Sequence, residues 1–100
     1  MIEVRETRAF TAWLSSLRDR RAVARIAVRL ARYADGNPGD VQSVGEGVSE
    51  LRIDYGPGYR VYVKTVGEAL VFVLGGGDKG TQAVDIKRAK ALAKELRHDP

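Results

Sequence analysis

The feature that most constrains this chain is a single change in the period of its apolar residues. Phe10, Trp13, Leu14 and Leu17 recur at i, i+3, i+4 and i+7, which marks one face of a helix that Thr7 can cap. Val23, Ile26, Ala27, Leu30 and Ala34 form the stripe of a second helix capped by Asp19, and Gly36 with Asn37-Pro38-Gly39 ends it. So short a link between them predicts an αα-hairpin. Past that break the pattern is β, in pieces split by glycine. Asp40–Val44 is a weak strand, Gly45-Glu46-Gly47 a turn, and Val48–Tyr55 a clearer strand ended by Gly56-Pro57-Gly58. Tyr59–Val66 follows, and Gly67-Glu68 predicts a two-residue hairpin into Ala69–Leu74, a continuous apolar run expected to be the central strand. Gly75-Gly76-Gly77 is expected to end the sheet, Asp78-Lys79-Gly80 to form a loop, and Thr81–Arg97 a last helix. With a short first strand over Met1–Arg5, the order is β-αα-ββββ-α. The expected fold class is α+β, one domain over residues 1–100, with a mostly four-stranded antiparallel sheet, an N-terminal αα-hairpin and a C-terminal helix.

Composition then removes most chemistries. The 100 residues include no cysteine, which excludes disulfides, thiolate nucleophiles and iron–sulfur clusters, and one histidine, His98, which disfavours His-based metal sites and Ser-His-Asp catalysis. Neither a metal nor a cofactor is expected. No apolar run approaches the ~18 residues of a membrane span, and the start MIEVRETRAF lacks a signal-peptide core, so a cytoplasmic protein without membrane contact is expected. Any catalysis would run on Arg, Lys, Asp, Glu and Tyr.

Three constellations are candidates for function. Arg18, Arg21, Arg25, Arg29 and Arg32 recur at spacings of 3, 4, 4 and 3, so they share one helix face if the winding reaches back to Arg18. Between residues 18 and 35 six arginines meet only Asp19 and Asp35, so this segment alone equals the net charge of +4. Such a ridge is either a solvated face or a surface for phosphate or an acidic protein segment. In the strands, alternation places Leu51 and Ile53 on one face and Glu50, Arg52 and Asp54 on the other, then separates Tyr59, Val61 and Val63 from Arg60, Tyr62 and Lys64. If these strands pair, the polar faces coincide, as a binding face or as a solvated sheet with cross-strand ion pairs. The third candidate, Leu74 to Gln82, fails the Walker pattern because Lys79 is followed by Gly80, and an NTPase is excluded. It remains either a glycine run that lets backbone approach a ligand or a plain turn.

Taken together, Glu50-Leu51-Arg52-Ile53, Gly56-Pro57-Gly58-Tyr59-Arg60-Val61-Tyr62 and Gly76-Gly77-Asp78-Lys79-Gly80-Thr81-Gln82 with Asp85-Ile86 resemble the HigB-like branch of the RelE/ParE toxin superfamily. Phe10, Trp13-Leu14, Leu17, the Gly36 to Asp40 turn and Val44-Gly45-Glu46-Gly47-Val48 extend the resemblance over nearly the whole chain. It implies a RelE/ParE-like fold and a cytoplasmic toxin neutralised by an antitoxin, of helix-turn-helix type, from the adjacent gene, with operator DNA reached only through that antitoxin. Many members cleave mRNA on the ribosome without metal. By the resemblance Arg60 contacts the scissile phosphate, Arg52 is a second phosphate contact, Lys79 neutralises charge or donates a proton, Tyr62 stacks on a base or donates its hydroxyl, and Asp78 or Glu50 serves as base. Lys64 and the arginine ridge would contact nucleic acid or partner. Better-known RNA-cleaving relatives carry a Tyr or His near the C-terminus, whereas this chain offers only His98 there. The ParE arm, which poisons DNA gyrase by binding alone, is the alternative, and a basic module that binds nucleic acid directly is the third.

Overall fold

The computed structural model describes residues 2–96. Its elements are β1 (Glu3–Glu6), α1 (Arg8–Ser16), α2 (Arg20–Ala34), β2 (Val41–Gly45), β3 (Val48–Ile53), β4 (Tyr59–Val66), β5 (Leu70–Asp78), a 3-10 turn (Lys79–Thr81) and α3 (Gln82–Glu95). Met1 of the expected first strand, Arg97 of the expected last helix and His98 lie outside the described residues. No helix among those described is long and apolar enough to cross a membrane.

Both predicted caps form. The Thr7 hydroxyl accepts from the Phe10 amide at 3.3 Å and donates to the Val73 carbonyl at 2.8 Å, so the cap that starts α1 also fastens it to β5. Asp19 accepts from the amides of Arg21 and Ala22 at 2.9 and 3.3 Å. Arg18 is not helical, because Leu17 closes α1 and Asp19 opens α2, so the arginine ridge begins at Arg21.

The sheet corrects the sequence reading in four respects. It has five strands in the order β1-β5-β4-β3-β2, and β1 runs parallel to β5 beside the four antiparallel strands. The middle strand is therefore β4; the apolar run of β5 lies one place in from the edge, covered on both faces as its composition requires. Gly75-Gly76-Gly77 does not end the sheet: all three pair with β4 and the strand continues to Asp78. A three-residue loop, Gly67 to Ala69, replaces the expected two-residue hairpin. The Glu46-Gly47 turn has positive φ at both positions, 56° and 78°, which matches the twist of the β2–β3 ribbon.

Each face has its own core. Phe10, Ile26 and Leu30 of the hairpin pack on Leu51, Val61, Val63, Val71 and Val73. On the opposite face Ala89 and Ala93 of α3 pack on Val48, Tyr62, Leu70, Phe72 and Leu74. Tyr62 pairs with Gly75 and Val63 with Val73, so Leu74 is an extra residue of β5. It joins Leu70 and Phe72 in the α3 core by alternation, and the bulge reverses the facing beyond it, setting Gly76 toward α1 and Gly77 toward α3.

The glycine run makes this two-sided packing possible. A Cβ on Gly76 would overlap the ring of Trp13 from α1, and one on Gly77 would overlap the Asp85 carboxylate from α3, whereas Gly75 has nothing within 4 Å of the equivalent position. The sequence reading assigns these glycines to a ligand or a turn; at Gly76 and Gly77 protein side chains occupy the space. Gly76→Ala is expected to cost on the order of 1–3 kcal/mol by overpacking, with Gly75→Ala close to neutral. Urea denaturation of both variants checks this, and equal effects would contradict it.

Candidate functional site

The polar site follows from strand register. β3 and β4 pair so that Glu50 lies opposite Tyr62 and Arg52 opposite Arg60, and alternation sends all four side chains to the face that α3 covers. Two arginines directly opposite would repel. Glu50 resolves this. Its Oε1 accepts from Arg52 Nε at 3.1 Å and lies 3.9 Å from Arg60 Nε. Its Oε2 accepts from the Tyr62 hydroxyl at 3.1 Å and from Gln82 Nε2 at 2.8 Å. Glu50 is wholly buried, while the Arg52 and Arg60 side chains keep 34% and 14% exposure. Arg60 Nε is buried without a hydrogen-bond partner among the described residues. Arg52 also donates through Nη2 to Gln42 of β2.

Burial pushes the Tyr62 hydroxyl far above the usual tyrosine range, and the charge and hydrogen bond of Glu50 add to the effect. The group is thus a neutral donor. Because α3 seals it, Tyr62 offers no open ring face for a base, which corrects the stacking role expected of it. Asp78 is occupied locally, accepting from the Gly80 amide at 2.7 Å as the cap of the 3-10 turn. Lys79 is exposed on that turn, beside Gly58 and apart from the Glu50 network. Lys64 sits toward the other end of the face, where its Nζ donates to the Ala93 carbonyl at 3.3 Å. The structure therefore joins Arg52, Arg60 and Tyr62 through Glu50, and leaves Asp78, Lys79 and Lys64 outside that cluster. Gln82, quoted for its motif but given no role, closes the cluster from the first turn of α3. Its position right after a Gly-Thr pair that opens a helix was the available signal.

The ridge is less free than its charge suggested. Arg25 lies 4.6 Å over the Tyr55 ring, and the Tyr55 hydroxyl donates to Asp19 at 2.8 Å. That bond holds the Asp19 carboxyl below its usual range and raises the Tyr55 hydroxyl. Arg29 is half-buried and donates to the carbonyls of Pro38 and, at 3.0 Å, Asp40, so it pins the turn after α2. Arg21 and Arg32 are exposed, as is Arg18 in the link. On the hairpin side of the sheet a groove of roughly 430 Å³ is lined by Arg25, Arg29 and Arg32 of α2, with half-exposed Val28, and by residues 52–54 at the end of β3, while the Arg52 side chain itself turns to the opposite face with Glu50 and Gln42. Among the described residues no group of three or more His, Cys, Asp or Glu side chains is placed to hold a metal ion.

The raised Tyr62 hydroxyl has a signed consequence for stability. Above the ordinary tyrosine pKa of 10.0 the unfolded chain gives up this proton while the folded chain keeps it, so the unfolded state binds fewer protons and stability falls as pH rises. Tyr62→Phe is expected to lose about 1 kcal/mol near neutral pH with its hydrogen bond, and to show a shallower decline through about pH 11. Urea melts of both proteins across that range check it, and parallel declines would contradict it.

No family model matches the sequence. An uncharacterized protein of Haemophilus influenzae is 53% identical over 95 residues, which span 95% of this chain and 96% of that protein. Among solved structures, a double arginine-to-alanine mutant of the E. coli toxin RelE in the free state superposes with a TM-score of 0.72 over 95% of this chain and 98% of its own, at 12% identity. Likeness at that identity speaks to the fold, and it agrees with the α+β architecture described above. The chain therefore belongs to one family with the Haemophilus influenzae protein, and it has the RelE-type fold.

Proposed function

We propose that the chain is the toxin of a type II toxin–antitoxin module, HigB-like in sequence, and that it cleaves mRNA on the ribosome without a metal. The observation that carries this reading is the convergence of Arg52 and Arg60 on one face of a RelE-type sheet. In the proposed reaction the RNA 2′-hydroxyl attacks the adjacent phosphorus. The new O–P bond closes a cyclic phosphate, the bond to the 5′-oxygen breaks, and that oxygen leaves as a hydroxyl after taking a proton. The barrier lies in charge building on the phosphoryl oxygens, and fixed guanidinium donors stabilise it best. Arg60 is the first contact to the phosphate and Arg52 the second. Lys79, exposed on the turn after β5, meets the phosphate or protonates the leaving oxygen from the rim, with the ribosome supplying what remains of the proton transfer. Asp78 is the nearest carboxylate in sequence for the opposing proton step.

The same reading makes the protein cytoplasmic and gives it two partners. One is the ribosome with its mRNA. The other is an antitoxin of helix-turn-helix type, encoded alongside, through which alone the toxin reaches operator DNA. Its acidic or amphipathic segment would dock on Arg18, Arg21 and Arg32, with Arg25 and Arg29 behind them and Lys64 at the far end of the sheet face.

The test is expression in bacteria with the antitoxin withheld. Growth arrest with transcript cleavage is expected, and Arg60→Ala should slow cleavage by roughly 100-fold or more, the usual loss of one charge-stabilising donor. Arrest with intact transcripts and altered DNA supercoiling would overturn this reading in favour of a gyrase poison of the ParE kind.

A further inference from the structure

Glu50 was considered above as a base, and its surroundings argue for another role. A general base needs a free lone pair and a path to the proton it takes. Glu50 lacks the path and most of the acceptor capacity: its side chain is 1% exposed, and three of its roughly four acceptor sites are taken by Arg52, Tyr62 and Gln82, with the Arg60 charge 3.9 Å away. What this carboxylate can do is hold two like charges side by side. Arg52 is pinned through Nε, and Arg60 is drawn to the same oxygen as an ion pair at 3.9 Å without a hydrogen bond. Guanidinium groups held this way keep Nη donors for another acceptor, and a phosphate is the acceptor that suits a pair of them. Arg52 commits one Nη to Gln42. Gln82 acts at one remove. Its amide donates to the Glu50 oxygen that Arg52 does not use, so the first turn of α3 fixes the carboxylate that fixes the arginines.

We propose that Glu50 and Gln82 are positioning residues, with Glu50 setting the spacing and orientation of Arg52 and Arg60 and Gln82 locking Glu50 from α3. The kinetic half of this proposal rests on the cleavage reading above; the geometric half does not.

The experiment uses the full-length protein and has two readouts. In proton–nitrogen spectra of the free protein, Gln82→Ala should shift the Nε–Hε signals of both Arg52 and Arg60 and speed their exchange with water. Tyr55→Phe, on the other face of the sheet, should leave both unchanged. On ribosomes, Gln82→Ala should lower kcat by about 10- to 100-fold with KM little changed, the signature of misplaced rather than missing donors. Glu50→Gln should do the same, and if that variant folds poorly, Gln82→Ala still decides. Arginine signals indifferent to Gln82→Ala would overturn the proposal whether or not the protein cleaves RNA. So would faster cleavage by Glu50→Gln, which would make Glu50 a brake on the arginines. A wild-type protein that leaves RNA intact while Gln82→Ala still disturbs both arginine signals would sink the cleavage reading and uphold the positioning.

Discussion

A single buried carboxylate organises this structure. Removing an ion from water costs several kcal/mol even after the protein relaxes around it, and attraction between partners repays this only with good geometry and further hydrogen bonds. Glu50 meets that condition with Arg52 beside it on β3, Arg60 and Tyr62 across on β4, and Gln82 from α3. Each partner depends on a different feature of the fold. Arg52 needs only the pleat, Arg60 and Tyr62 need the β3–β4 register, and Gln82 needs α3 to begin where it does. A slip of one residue in that register would put Glu50 and Arg52 on the opposite face from Arg60 and Tyr62. Apolar residues of similar volume often stabilise a core as well as a buried ion pair does. The cluster is therefore better explained by what it presents, two guanidinium groups gathered on one carboxylate, than by what it adds to stability.

The rest of the fold gives that cluster a rigid frame. The hairpin of α1 and α2 covers one face of the sheet with an apolar core, and α3 covers the other with a core that is apolar around Leu70, Phe72 and Leu74 and polar around Glu50. Both helices come close because β5 carries glycines where Trp13 and Asp85 press against it. Gly77 lies directly opposite Arg60, so the glycine that admits Asp85 also borders the cationic pair. Asp85 accepts from the Thr81 hydroxyl, which in turn accepts from the Asp78 amide as part of the cap that ends β5. Strand end, turn and helix start are thus linked, and Lys79 rides on that turn.

Much of this was legible in the sequence, and the exceptions share a cause. Caps act within a few residues, so Thr7 and Asp19 could be read directly, as could the alternation that places Glu50 with Arg52 and Arg60 with Tyr62. What a strand packs against is not local. The parallel pairing of Glu3–Glu6 with β5 joins segments far apart in the chain, and a four-residue exposed strand carries no sign of its neighbour. The glycine run looked like an interruption because a strand interior without side chains is weak by itself; only Trp13 and Asp85 explain it. The arginine ridge looked uncompensated because its partners, the Tyr55 ring and the carbonyls of Pro38 and Asp40, carry no opposite charge. Tyr62 was offered to a nucleic-acid base because alternation gives its face and not the helix that closes over it.

The central claim is that Glu50 couples α3 to the arginine-bearing strands. A double-mutant cycle of Glu50→Gln and Gln82→Ala, followed by urea unfolding, measures that coupling directly. The structure predicts an interaction energy of roughly 1–3 kcal/mol between the two sites, and effects that add to within about 0.5 kcal/mol would contradict it.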